Sequence, residues 1–175
     1  MILAKSMENI RNPVIHTLRT KQSNNKQYDF RQIVLGGKAL ELKLIPLFLL
    51  RPHEGVDLKI LEELVKSIKA DGALKKAIAV ERGTRIILDG HHRVKALELI
   101  GCSKAPCLLM DYSSPQIMVF SWSGDRELSK DLVIRAGCCG ELLPPKTTKH
   151  MVRLNEHLTH ISDIEPEVNI PIAAL

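Results

Sequence analysis

The stretch Leu88-Asp89-Gly90-His91-His92-Arg93-Val94-Lys95-Ala96-Leu97 constrains the fold more than any other part of this chain. Behind it, Gly83 gives a turn signal, and the apolar Ile86, Ile87 and Leu88 after Arg85 predict a short strand. Ahead of it, Val94, Leu97 and Ile100 recur at helical spacing and Gly101 closes the run. The turn between strand and helix therefore falls at residues 89–91. A helix that starts there presents unpaired backbone N–H groups and the positive end of its dipole, which favours an anion. Asp89 as an N-cap and Gly90 as a turn residue are explained by capping alone. Two adjacent histidines followed by Arg93 are not, because cations in a first turn oppose the dipole. Arg93 also carries a fork of donors matched to phosphate oxygens. Asp89, Gly90, His91, His92 and Arg93 are thus read as a phosphate-binding turn.

A chain of 175 residues with 45% hydrophobic content can bury one core and form one domain, or one domain with arms. Aromatic residues are only 3%, so Leu, Ile and Val must fill that core. No apolar run approaches the roughly 20 residues of a membrane span, and the start, with Lys5, Glu8 and Arg11, lacks the apolar region of a signal peptide. A cytoplasmic protein without a membrane partner is expected. Cys102, Cys107, Cys138 and Cys139 form no C-x-x-C pair, which disfavours a structural metal and predicts reduced, mostly buried thiols.

The net charge of +5 points to nucleic acid until it is located. Residues 1–31 hold six Lys/Arg against Glu8 and Asp29, which leaves the rest of the chain almost balanced. The basic character therefore belongs to an arm, here taken as residues 1–38 and partly flexible, ahead of a domain over 39–175. Within the arm, Gln22-Ser23-Asn24-Asn25-Lys26-Gln27 is polar and aperiodic, as in a loop or disordered segment. A solvated tail explains it better than a nucleic-acid contact does.

Leu40, Leu42 and Leu44 alternate with Glu41 and Lys43 as in a strand. A loop through Arg51-Pro52-His53-Glu54-Gly55 follows, and Asp57 can cap a helix that carries Leu58, Leu61, Leu64, Val65 and Ile68 on one face and stops at Asp71-Gly72. Residues 77–81 and 85–88 flank Arg82-Gly83-Thr84 as a hairpin. Strands over 105–111 and 117–122, a short helix from Ser129 or Asp131 to Gly137, and a polar loop through Pro144-Pro145-Lys146-Thr147-Thr148-Lys149-His150 complete the path.

The helix-start pattern Gly90, Arg93, Ala96 resembles the ParB and sulfiredoxin superfamily, whose members bind nucleotide phosphates at this turn. Within it, Asp89-Gly90-His91-His92-Arg93 is similar to the form found in the free L-serine kinase family. Arg51-Pro52-His53-Glu54, Ala105-Pro106 followed by Met110-Asp111-Tyr112, Val119 to Trp122, and Pro145 to His150 agree with it, so the resemblance covers about residues 40–170. It implies an α+β single domain with a ParB/sulfiredoxin-like mixed sheet and flanking helices. Two departures stand out. Only 23 residues separate Trp122 from Lys146, where the archaeal serine kinases carry an insertion that forms a second lobe. Closure over a substrate then falls to a shorter loop, to a partner subunit, or is absent. In the last motif Lys149 replaces the family's usual arginine, which keeps the charge and loses the bidentate geometry.

The resemblance implies Glu54 as the catalytic base of phosphoryl transfer, and Asp57 is the better placed of the two to cap the helix. Asp89 could hold Mg2+ through an oxygen ligand or cap the helix, and the sequence leaves both open. Lys146, Thr147, Thr148, Lys149 and His150 gather cations, hydroxyls and an imidazole suited to a carboxylate or phosphate, and Trp122 is either core or pocket lining. His91 stands where sulfiredoxins have cysteine, which disfavours sulfinic-acid repair. Residues 154–175, with Pro166 and Pro171, leave no room for the helix-turn-helix of a DNA-partitioning protein. The expected function is transfer of a phosphoryl group from ADP or ATP, with Mg2+, to the hydroxyl of free L-serine, giving O-phosphoserine, a precursor for cysteine synthesis. Nucleic acid is not an expected partner, and self-association is left open. The alternative is a ParB-like nucleotide-binding regulator without turnover, associated with DNA through the basic arm.

Overall fold

Alternating burial and exposure set the first long strand, and two runs buried on both faces set the centre of the sheet. The computed structural model describes residues 33–35, 38–124, 126–154 and 156–175; of the arm expected over residues 1–38, residues 1–32 and 36–37 lie outside the described residues. β1 (Ile33–Leu35) pairs antiparallel with β2 (Lys38–Pro46), so sheet pairing begins ahead of residue 39. β2 turns Leu40 and Leu42 inward with Lys43 exposed, then runs antiparallel to β6 (Lys104–Met110). β4 (Ile78–Glu81) lies parallel to β6 and antiparallel to β5 (Ile87–Asp89), giving a mixed five-stranded sheet in the order β1-β2-β6-β4-β5. Ile78, Ala79, Val80, Cys107, Leu108 and Met110 are almost wholly excluded from water, as expected of strands covered on both faces. Each fully buried Leu or Ile there contributes about 1.5–3 kcal/mol.

α1 (Leu58–Asp71) and α2 (His91–Ile100) pack against each other. Asp57 caps α1 by accepting from the backbone N–H groups of Lys59 (2.9 Å) and Ile60 (3.2 Å), and Gly72 ends it in the left-handed region. Leu61 and Ile68 are buried and Leu64 and Val65 partly so, whereas Leu58, the first residue of the helix and expected on the same face, is 70% exposed. The hairpin at residues 77–88 forms as expected, with Arg85 at a positive φ in its turn.

β3 (Ala73–Lys76) pairs with β10 (Glu167–Pro171), which ties the end of the described chain to the first helix. β7 (Ile117–Ser121), β8 (Thr148–Leu154) and β9 (His157–His160) form a separate three-stranded antiparallel sheet. A part of the expected polar loop is therefore a strand: Thr148, Lys149 and His150 belong to β8. α3 (Lys130–Cys139) starts at the Ser129 cap, runs past Gly137 and stops at Gly140. Gly137 is where α3 crosses the sheet, and a Cβ there would stand 2.7 Å from Cγ1 of Ile86. α4 (Ile161–Ile164) turns the chain from β9 into β10. All four cysteines are free, but Cys138 and Cys139 are exposed at the end of α3, against the expectation of mostly buried thiols.

No helix among the described residues is long and apolar enough to cross a membrane.

Candidate functional site

Three segments far apart in sequence converge: the loop at 51–55, the β5–α2 turn, and the turn that leads into β8. The loop is stitched to β5 by Arg51, whose backbone N–H donates to the Arg85 carbonyl (3.0 Å) and whose carbonyl accepts from Ile87 (2.9 Å). It is stitched to the β8 turn by Gly55 N–H to the Leu143 carbonyl and Leu143 N–H to the His53 carbonyl, both 2.9 Å.

Glu54 lies inside this joint rather than on the surface and is 7% exposed. Its Oε2 accepts from the Lys146 backbone N–H (3.1 Å), and its Oε1 accepts from the Thr148 backbone N–H and contacts the Thr148 hydroxyl, both 2.5 Å. Lys146 reaches this position with φ +59°. The neighbouring His53 is fully buried. Its Nδ1 is 2.7 Å from the Ile87 carbonyl and its Nε2 2.8 Å from Thr148 Oγ. His53 thus touches both the β5–α2 turn and β8. Sequence reasoning quoted it within a motif and gave it no role, because its partners are 34 and 95 positions away.

At the β5–α2 turn, Gly90 occupies the N-cap with φ +99°, a conformation that only glycine adopts without strain, and it supplies no side-chain cap. Asp89 therefore does not cap α2. Its carboxylate meets the Arg93 guanidinium at 2.5 Å. Arg93 also donates to the Ala77 carbonyl and forms a two-point pair with Glu165, Nη1 to Oε2 at 2.8 Å and Nη2 to Oε1 at 3.0 Å. The guanidinium fork is thus engaged by protein acceptors. Burial pushes the Glu165 carboxyl up to about 7 although Arg93 opposes the shift.

The two histidines of the turn are acceptors, not cations. His92 Nε2 accepts from the Asp57 backbone N–H (2.9 Å), and His91 Nε2 accepts from that of His53 (3.4 Å). Burial holds the His91 imidazole well below its ordinary range, with His53 and His150 adding to the effect. Burial also lowers His92, against the pull of Asp57. A neutral imidazole does not oppose the helix dipole. The two histidines therefore do not set against the dipole the cations expected from the sequence, and the turn is a helix N-terminus without a side-chain cap.

Strand alternation divides the last motif. Thr148 and His150 point inward and are buried, with His150 Nε2 2.9 Å from the Tyr112 hydroxyl. Lys149 points outward, its Nζ 5.5 Å from the ring centre of Trp122, which is 48% exposed and stands 5.5 Å from the His160 ring. Lys146 is exposed, and the Thr147 hydroxyl donates to the Pro144 carbonyl (2.7 Å). Trp122 and Lys149 therefore lie together, on the face of the sheet opposite Thr148 and His150.

Among the described residues no group of three or more His, Cys, Asp or Glu side chains could hold a metal ion. With the Asp89 carboxylate held against Arg93, these residues do not form a magnesium cage.

The family model of the ParB N-terminal domain matches residues 14–122, which include the loop at 51–55 and the β5–α2 turn. The chain belongs to this family. Among curated relatives, a ParB-like protein of Sulfolobus acidocaldarius is 38% identical over 49% of this chain and 42% of its own length. The ADP-dependent L-serine kinase SerK of Thermococcus kodakarensis is 30% identical over 49% of this chain and 37% of its own. An ATP-dependent L-serine kinase of Desulfurococcus mucosus is 35% identical over 49% and 35%. The chain thus covers about two fifths of the length of these relatives. In fold, this ParB-type domain is similar to a free serine kinase in complex with AMP, with a TM-score of 0.64 at 17% identity over 77% of this chain and 93% of that one. The expected mixed sheet with flanking helices is the fold observed. The β8 motif lies beyond the part of the ParB domain that the family model matches.

Proposed function

We propose that this chain is a phosphotransferase that moves a phosphoryl group from ADP or ATP to the hydroxyl of free L-serine, giving O-phosphoserine. The observation that carries the reading is the bridge made by His53, which fastens the Glu54 loop to the β5 end on one side and to Thr148 on the other. Phosphoryl transfer to an alcohol needs a base and a phosphate cradle held side by side, and its catalysis is largely positioning and charge stabilisation. In this reading Glu54 accepts the hydroxyl proton. The uncapped first turn at Gly90, His91 and His92 holds the donor phosphates through backbone N–H groups, and Arg93 fixes that turn through Asp89, Glu165 and Ala77. The exposed Lys146 and the adjacent Thr147 serve the acceptor, with Trp122 and Lys149 as a second contact surface and Thr148 and His150 behind them. Mg2+ would neutralise phosphate charge in such a reaction, and among the described residues no cluster of ligating side chains would hold it. The relatives named as ADP- and ATP-dependent L-serine kinases support the assignment.

One observation favours a second reading, a nucleotide-binding regulator without turnover: the Glu54 carboxylate is nearly buried and both its oxygens already have partners. Incubation of the protein with ADP or ATP, Mg2+ and L-serine, followed by mass spectrometry for O-phosphoserine, separates the two. Product with either nucleotide supports the kinase; nucleotide binding without product supports the regulator.

A further inference from the structure

The contacts around His53 fix where protons must sit. Nδ1 faces the Ile87 carbonyl at 2.7 Å, and a carbonyl only accepts, so Nδ1 carries a hydrogen. The other ring nitrogen, Nε2, is 2.8 Å from Thr148 Oγ, which is 2.5 Å from Glu54 Oε1. Two hydrogen bonds in series need two protons, and the threonine hydroxyl supplies one. If Glu54 were ionised and Nε2 bare, one of the two links would set lone pair against lone pair, a poor arrangement at sites this buried. The geometry is satisfied when one further proton is present, either on Nε2 with the hydroxyl donating to Glu54, or on Glu54 with the hydroxyl donating to Nε2. Direct contact between His53 Nε2 and Glu54 Oε1, at 3.6 Å, is too long to replace the hydroxyl.

We infer that Glu54, Thr148 and His53 form one proton relay, in which His53 is a positioning residue that stores, through the Thr148 hydroxyl, the proton that Glu54 takes. The inference rests on the kinase reading for the origin of that proton. As the acceptor oxygen forms its bond to phosphorus, the donor P–O bond breaks and its electron pair leaves with the nucleotide. The acceptor O–H breaks, and its proton passes to Glu54 Oε1, the oxygen that faces Thr148 Oγ. Glu54 then donates through Oε1 to Thr148 Oγ while the Thr148 hydroxyl proton moves to His53 Nε2. The empty relay, with Glu54 ionised and Nε2 bare, is the state that takes the proton; the loaded relay is the one whose two hydrogen bonds the contacts in the structure satisfy. The groups that face His53 are Glu54 itself, His91 from α2 with ring centres 4.6 Å apart, and His150 from β8 at 5.6 Å, while Lys146 reaches Glu54 through its backbone N–H. Burial holds both neighbouring imidazoles well below their ordinary range.

Thr148→Val keeps the shape and the backbone N–H to Glu54 and removes only the hydroxyl; Thr148→Ser restores it. Two readouts on the full chain test the relay: nitrogen-15 NMR of labelled histidine without nucleotide, and serine phosphorylation as a function of pH. In Thr148→Val the protonation state of His53 Nε2 should differ from wild type at the same pH, and Thr148→Ser should return it. The rate with serine should fall by roughly 10²-fold with the nucleotide KM within about twofold, and the pH profile should shift. If amide spectra show that Thr148→Val does not fold, His53→Gln replaces it, since its amide can donate to Thr148 Oγ and cannot take up a proton; the same loss of rate is expected. A His53 signal unchanged in Thr148→Val, or wild-type turnover in His53→Gln, overturns the relay. A changed His53 signal in a protein that makes no O-phosphoserine leaves the proton sharing standing and overturns the kinase reading.

Discussion

Arg93 and Glu165, 72 positions apart, meet as a two-point ion pair in which the Glu165 side chain is completely excluded from solvent. The pair ties the segment after β9 to the β5–α2 turn, and Asp89 shares the same guanidinium. Arg93→Ala leaves the Glu165 carboxyl buried without its cation and should destabilise the fold by about 3–5 kcal/mol in urea unfolding. Arg93→Ala combined with Glu165→Gln should recover part of that loss, since the stranded charge is gone. A cycle closed with Glu165→Gln alone in which the losses of the two single variants simply add would show that the two residues are not coupled.

The pH dependence of stability should carry opposite contributions from this pair and from the histidines. His91 and His150 are held well below their ordinary value of 6.5 by burial. Below about pH 6.5 the unfolded chain takes up protons that the folded chain refuses, so stability falls on acidification. Glu165, raised from 4.5 to about 7, binds its proton more tightly when folded; its contribution is full below 4.5 and is lost as pH rises through 7. The two slopes oppose between 4.5 and 6.5. Glu165→Gln removes one of them, so acid destabilisation over that window should be steeper in the variant than in wild type, as read from urea midpoints at a series of pH values.

The close approach of α3 to the sheet gives a packing prediction. Gly137→Ala brings a methyl group to within 2.7 Å of Ile86 Cγ1 and should cost about 1–3 kcal/mol by overpacking. Adding Ile86→Val frees space at that contact and should return part of the loss. Thermal melts of the two variants check both signs.

What the sequence made legible was local. The Asp57 cap, the Gly72 stop and the apolar face between them are carried by residues within a few turns of one another, and α1 follows. The hairpin at 77–88 and the β5–α2 turn are legible for the same reason. Only the first three residues of β8 fall in the polar loop expected over 144–150, because the inward positions there are Thr148 and His150, polar residues that a core pattern does not predict. The alternation of Thr148, His150 and Val152 inward with Lys149 and Arg153 outward was the available signal. The roles of His53 and Glu165 are illegible in the sequence because both are set by contacts 34 to 95 positions away that no spacing rule carries. His91 and His92 look like cations in the sequence because a sequence does not show burial.

The central claim is that Glu54 acts as the base of a phosphoryl transfer to serine, and Glu54→Gln tests it most directly when turnover and nucleotide affinity are measured together. Glutamine keeps the size, but its single oxygen can accept from only one of the Lys146 and Thr148 N–H groups, and it cannot take a proton. The account predicts that O-phosphoserine formation falls by roughly 10²- to 10⁴-fold while the nucleotide Kd stays within a few-fold. Full activity in Glu54→Gln, or a wild-type protein that binds nucleotide and forms no O-phosphoserine with either ADP or ATP, would contradict it.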